Sequence, residues 1–282
     1  MRAVAARVLV QGPIRQRPVL PRRRSRRSGD PTGSAAHHRP VAFRRGRADP
    51  APGPHRSVEH PVTQPAPGTS PRTTIKRAPE RGVTDRKTLY AILDAGLVAH
   101  VAVVEDGQPF VVPVGYARLG DDVVFHGSSA SRLFKRLAEG QPTCVTVTLL
   151  DGLVLARSSF ESSMNYRSVM ILGTARRLEG DEESTALRAI SDHLLPGRWD
   201  DIRPPAAQEL KATMTLSLPL AECSVKVRTG GPEDLEEDLA DPVYSRVWAG
   251  VVPLVESFGT PEPDDLSRDA DVPQYLRRWT RT

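Results

Sequence analysis

Apolar and polar positions divide the chain into two unlike parts. From about residue 84 onward, short apolar runs alternate with turn-forming residues. Leu89, Ile92 and Leu93 fall on one helical face; Thr84 can cap that helix and Gly96 ends it. Leu97 to Val104 reads as a strand and Phe110 to Arg118 as its return. Between them, Glu105-Asp106-Gly107-Gln108 reads as a type I′ hairpin, because Asp-Gly accepts positive φ. Leu119-Gly120-Asp121-Asp122 is a second turn, followed by a strand at Val123 to His126. Ser131 to Glu139 reads as a short helix with Leu133, Phe134 and Leu137 inward. Strands follow at Thr143 to Leu150 and Ser168 to Leu178, then a helix at Asp181 to Leu195 with an acidic first turn. Lys211 to Leu218 and Ser224 to Arg228 complete about seven strands. Tight turns between meandering strands favour a mainly β, antiparallel barrel over a parallel sheet.

Residues 1–80 look different. They hold 17 of the 39 Lys and Arg, four acids, 13 of the 26 prolines and one aromatic, Phe43. Too little apolar surface is available there to offset the entropy of ordering, so disorder is expected. The stretch around Arg22-Arg23-Arg24-Ser25-Arg26-Arg27 reads as a solvated tail, a basic arm for nucleic acid or membrane, or part of a transit peptide. The remaining residues carry a net charge of −8, so the pI near 9.5 belongs to the tail. The expected organisation is a tail over 1–80, one domain over 81–255 and a weakly ordered, acidic, Pro-rich end over 256–282. No apolar run approaches ~18 residues, and a cytoplasmic location is expected. Cys144 and Cys223 lack metal-type spacing and read as buried free thiols.

Three segments hold candidate chemistry. In His126-Gly127-Ser128-Ser129-Ala130-Ser131-Arg132, a strand passes through small residues into a helix. Free N–H groups at the helix start, hydroxyls at 128, 129 and 131, and the cations Arg132 and Lys135 suit a phosphate monoester; an ordinary capped helix explains the same residues. Arg167 stands at the mouth of an apolar strand, where its guanidinium either meets a ligand or lies exposed. Val111-Val112-Pro113-Val114-Gly115-Tyr116 combines a residue without N–H and one without a side chain, which leaves ladder groups free for a flat ligand or marks a protected edge. His100 and His193 read as structural or surface residues. No nucleophile elbow, P-loop or Rossmann glycine pattern occurs.

In this order, Phe110 to Tyr116, Val124 to Ser128, Asn165 to Val169 with Gly173, Ser224 to Gly230, and Val247 to Pro253 resemble the pyridoxamine 5′-phosphate oxidase-like FMN-binding split barrels. The branch that includes nitroimidazole-resistance proteins looks most alike. The resemblance spans roughly residues 75–255. It implies an antiparallel split β-barrel with a few short helices, and a homodimer with FMN at each interface. Val112, Pro113 and Val114 would lie along the isoalloxazine. His126, Ser128, Ser131, Arg132 and Lys135 would border the phosphate side. Tyr166, Arg167 and Ser168 would sit near the flavin, and Lys226 and Trp248 would reach the partner's cofactor. Two positions depart from the family pattern: Glu161 and Arg132 stand where histidine is common.

The resemblance implies an FMN-dependent oxidoreductase acting on a small acceptor. The alternatives are a flavin-binding or sensing protein without turnover, a deazaflavin-dependent reductase, and a nucleic-acid binder through the basic tail.

Overall fold

Alternating strands and tight turns produce one antiparallel sheet in the computed structural model, which describes residues 64–277. In chain order the elements are β1 (Gly82–Val83), α1 (Arg86–Ala95), β2 (Val98–Glu105), β3 (Gln108–Leu119), β4 (Asp122–Ser128), α2 (Arg132–Ala138), β5 (Pro142–Leu155) and β6 (Ser163–Thr174). Then come β7 (Arg176–Arg177), α3 (Gly180–Leu194), α4 (Ala207–Ala212), β8 (Thr213–Pro219), β9 (Cys223–Arg228), α5 (Glu236–Ala240), β10 (Gly250–Pro253) and α6 (Gln274–Arg277). The strand order is β1-β9-β6-β5-β2-β3-β4-β8-β7, with β10 on β5. The ends of this sheet do not pair, so the architecture is a split barrel.

Period-two alternation decides the two faces. Ala99, Val101, Val145, Val147, Val169, Ile171, Leu216 and Leu218 point inward and are buried. The Leu89, Ile92 and Leu93 face of α1 closes that core. Each such Val, Leu or Ile side chain, fully buried, stabilises by about 1.5–3 kcal/mol. A second, smaller core forms outside the sheet, where Ala186 and Ile190 of α3 cover Ala117 and Val124.

Local chemistry explains the tight hairpins. Asp106 and Gly107 both take positive φ, 51° and 78°, as a type I′ turn requires. Other expectations need correction. Asp85, not Thr84, caps α1, accepting from the N–H groups of Lys87 and Thr88 at 3.2 and 2.9 Å. The hairpin of β5 and β6 is longer than its apolar runs: β5 continues to Leu155 and β6 begins at Ser163. A bulge between Leu150 and Gly152 breaks the alternation and hides the continuation. The late apolar cluster contains β10, which pairs Gly250–Pro253 with Leu155–Gly152.

Residues 1–63 lie outside the described residues, as do 278–282. Part of the stretch assigned to the tail by composition is nevertheless structured. The Gly68 N–H donates to Cys223 O at 2.7 Å, Ser70 Oγ donates to Glu222 Oε1 at 2.7 Å, and Thr73 is buried. These partners are about 150 residues away, so local composition does not reveal them.

Candidate functional site

The split begins where β3 loses its second neighbour. β3 pairs with β2 from Gln108 to Gly115, but with β4 only from Tyr116 to Leu119. Beyond Phe125, β4 continues beside β8. The edge of β3 from Phe110 to Gly115 therefore has no strand along one side. Pro113 contributes no N–H there, and Val111 and Val112 are exposed at 59% and 39%. Such an edge offers backbone groups and a low apolar wall to a planar ligand.

Across the split lies the turn from β4 into α2. Gly127 is needed there: a Cβ would stand 2.2 Å from Cε2 of Phe134. Phe134 in turn packs edge-on against Phe125, with centroids 6.0 Å apart. This contact draws α2 onto β4 and sets the position of Ser128 to Ser131. The Ala130 N–H donates to Ser128 Oγ at 3.2 Å, and the Ser131 N–H donates to Ser128 O at 2.9 Å. Ser131 is the N-cap of α2 but makes no side-chain cap, so its hydroxyl remains available. Lys135, one turn on, is exposed.

Arg132 bridges the split. Its guanidinium carbon lies 4.4 Å from the centre of the Phe110 ring, and its Nε lies 3.1 Å from Glu105 Oε2. Arg136 shares the same carboxylate at 3.0 Å. The positive charge expected for a phosphate is thus already partly balanced. Glu105 and Phe110 were not among the residues read as chemical. Their place beside Arg132 follows from the β2–β3 hairpin, which brings positions 105 and 110 to a residue more than twenty positions later.

His126 sits on β4 opposite Thr215. Desolvation by its surroundings lowers its pKa below the ordinary histidine value, favouring the neutral imidazole. His193 is occupied structurally: its Nε2 lies 2.6 Å from Gly96 O, and its ring rests 5.4 Å from that of Tyr116. His100 is exposed between Pro113 on β3 and Thr146 on β5.

The structure therefore gathers Val112, Pro113, Val114, His126, Ser128, Ser131, Arg132 and Lys135 around one split. It does not bring the remaining expected residues there. Tyr166, Arg167 and Ser168 lie on β6, and Lys226 lies on β9, next to Ser168 in register. Three strand spacings separate β3 from β6, roughly 14 Å along the sheet. Arg167 is half-buried and holds Asp151, with its Nη2 2.7 Å from Oδ1. That hydrogen bond is the main reason its pKa lies above the usual arginine value. Lys226 Nζ donates to Arg77 O at 2.9 Å. Trp248 is 65% exposed, just ahead of β10. Glu161 lies at the tip of the β5–β6 hairpin, where its N–H donates to Ser158 Oγ at 3.2 Å. No cluster of three or more His, Cys, Asp or Glu suited to a metal ion occurs among the described residues.

The family model described as pyridoxamine 5′-phosphate oxidase matches residues 85–227. The chain belongs to the pyridoxamine 5′-phosphate oxidase-like family. Among solved structures, it is similar to the flavocytochrome Anf3 from Azotobacter vinelandii, with 45% identity and a TM-score of 0.70. That match covers 77% of this chain and 99% of the other. It is also similar to the FAD and heme binding protein from Mycobacterium smegmatis, with 40% identity and a TM-score of 0.66, covering 70% of this chain and 96% of that one. No curated protein sequence matches the chain.

Proposed function

We propose that this chain binds a flavin and a heme, with FAD as the flavin, and transfers electrons to a small acceptor. The carrying observation is its likeness, over 77% and 70% of this chain and nearly the full length of each relative, to two proteins at 45% and 40% identity: a flavocytochrome and a protein that binds FAD and heme. The open β3 edge supports the reading, since it is flat, partly apolar and faced by hydroxyls and a lysine. The donor set suits a heme as well: His100 and His126 carry imidazoles with no hydrogen bond or ion pair among the described residues, and imidazole is a usual axial ligand.

A flavin supplies hydride or single-electron chemistry and a heme supplies one-electron or oxygen chemistry. The chain's own residues bind and orient. Backbone groups of Phe110 to Gly115 would meet the isoalloxazine, and Arg132, Lys135 and the Ser128 and Ser131 hydroxyls would meet phosphate oxygens. FMN, which the sequence resemblance implies, fits less well. Its terminal monoester carries about −1.5 to −2 charges and would face the Glu105 carboxylate that already holds Arg132 and Arg136. A diphosphate inside a dinucleotide carries less charge at each phosphorus.

A homodimer belongs to this reading. Tyr166, Ser168 and Lys226 are too far along the sheet to meet a flavin on their own β3, whereas a second copy could present them, together with the exposed Trp248. Exposed apolar side chains on β2, β5 and β6, Val104 (51%), Leu153 (47%) and Met164 (49%), supply a surface for it. No helix among the described residues is long and apolar enough to cross a membrane.

The test is titration of flavin-free protein with FAD, FMN and a deazaflavin, followed by fluorescence quenching, with mass measured by light scattering. Tighter binding of FAD by a dimer is expected. Preference for FMN or the deazaflavin refutes the FAD assignment, and a monomer at saturating FAD refutes the dimer.

A further inference from the structure

We propose that the cleft between the β2–β3 turn and the end of α2 holds the adenosine half of the flavin dinucleotide, with the Arg132 guanidinium as the platform for its base; this rests on the FAD reading above. The cleft has a volume of about 390 Å³. Glu105 and Asp106 line one side, and Arg136, Glu139, Gly140 and Gln141 the other. β3 starts at Gln108, so the turn lies just past the Phe110 end of the edge that would meet the isoalloxazine.

Local structure fixes both walls. Asp106 and Gly107 hold the turn at positive φ, and Gly140, at φ 86°, ends α2 in a conformation that disfavours any side chain. The Gln141 side chain donates to Val104 O and ties one wall to the other. Arg136 spans them too, with Glu105 at 3.0 Å and Glu139 at 3.2 Å.

The platform stands beside this cleft. Val103 pairs with Phe110 and Glu105 with Gln108, so Glu105 and Phe110 share one sheet face. Arg132 meets both of them on that face. Its guanidinium carbon lies 4.4 Å from the Phe110 ring centre, and its Nε 3.1 Å from Glu105 Oε2. Ring and carboxylate hold the guanidinium in place, yet 63% of the side chain is exposed, which leaves its second face open. A planar guanidinium stacks on aromatic rings and on bases alike. Phe110, Arg132 and adenine would form three layers, with the Arg132 Nη groups remaining for phosphate oxygens. α2 has seven residues and is about 10 Å long, a span that a nucleoside monophosphate covers between the Ser131 hydroxyl and the cleft.

The lining selects a neutral group rich in donors. Arg132 and Arg136 balance Glu105 and Glu139, and Asp106 adds one more carboxylate. The adenine amino group and the ribose hydroxyls can donate to these carboxylates and to the Gln141 side-chain oxygen. A phosphate on the ribose 2′ oxygen would instead meet the same acids.

The test titrates flavin-free, full-length protein with FAD and FMN by fluorescence quenching, and competes AMP and 2′,5′-ADP against FAD. AMP is expected to displace FAD and 2′,5′-ADP to do so poorly. Arg132→Lys keeps the cation and loses the flat face. Its FAD affinity is expected to fall by roughly 5- to 150-fold, the range for one base stack, with FMN affinity unchanged. Equal loss of FAD and FMN, or loss of neither, overturns the platform. Displacement by 2′,5′-ADP as good as by AMP overturns the assignment of the cleft. NADH binding to the FAD-loaded protein that disappears in Arg132→Lys would give the cleft to a second dinucleotide and overturn the FAD assignment there. Should Arg132→Lys fail to fold, Asp106→Asn tolerates the φ of 51° and is expected to admit 2′,5′-ADP; unchanged rejection overturns the assignment equally. Failure of the unaltered protein to bind FAD overturns the FAD reading itself, a result seen without any variant.

Discussion

The contact between Gly127 and Phe134 permits a quantitative prediction about how the site is held. In Gly127→Ala the new Cβ would lie 2.2, 2.5 and 2.7 Å from Cε2, Cζ and Cδ2 of Phe134. Carbon atoms pack comfortably at about 3.5–4.0 Å, so the ring must retreat by roughly 1–1.5 Å. It has little freedom to do so. Phe134 is 4% exposed and packs against Phe125, which is fully buried. Overpacking of this kind costs about 1–3 kcal/mol. For a domain of this size, each kcal/mol lowers Tm by about 2–4 °C, so a fall of roughly 2–12 °C is expected. The same displacement carries α2 and Ser128 to Ser131 away from β3, so FAD affinity should fall too. Calorimetry should be done both without flavin and at saturating FAD, because a ligand that binds only the folded chain raises Tm. The double variant Gly127→Ala with Phe134→Leu removes ring atoms from the conflict and should be less destabilised than the sum of the two single changes. A Tm and FAD affinity unchanged in Gly127→Ala, or strictly additive effects in the pair, would refute the reasoning.

Three further outcomes can be checked. Tyr116→Phe removes a buried hydroxyl that donates to Leu93 O at 2.7 Å, and should cost about 1–3 kcal/mol; equilibrium denaturation with no loss of stability would contradict this. Gly152→Ala places a Cβ 2.8 Å from Val252 O, and should raise amide exchange over 250–253 by displacing β10 from β5, whereas unchanged protection there would count against that docking. The Glu209 carboxyl has its pKa lowered from 4.5 to about 2, first by the Arg203 guanidinium and then by the Ala206 N–H. Because the folded chain favours its ionised form, that contribution is complete above pH 4.5 and is lost as pH falls toward about 2. Amide exchange at the start of α4 should rise in that window, and in Glu209→Gln the step should vanish; equal acid sensitivity in the variant would exclude Glu209 as its cause.

Features set by neighbouring residues were legible in the sequence. The Asp106-Gly107 turn, the inward face of α1 and the alternation of β2 each follow from a few adjacent side chains. The family motifs placed the chain among split barrels before any contact was known. Non-local features were not legible. Pro113 and Gly115 mark an unusual strand, but nothing near them says that β4 departs after Phe125. The sequence offers Arg132 and Arg167 as free cations; the fold supplies Glu105 and Asp151 as their partners. The bulge at Leu150/Gly152 masked the reach of the β5–β6 hairpin, because one extra residue shifts the apolar alternation from one face to the other. Thr73 lies in a Pro-rich stretch yet is buried, in a segment whose partners Glu222 and Cys223 lie about 150 residues further along.

The most direct test of the whole account is the visible spectrum of the full chain purified after expression with heme and riboflavin supplied, followed by acid extraction and chromatography of the released flavin. The account predicts flavin absorption together with a Soret band, bleaching of the flavin on anaerobic reduction, and release of FAD. A colourless protein that takes up neither added FAD nor added hemin would contradict it.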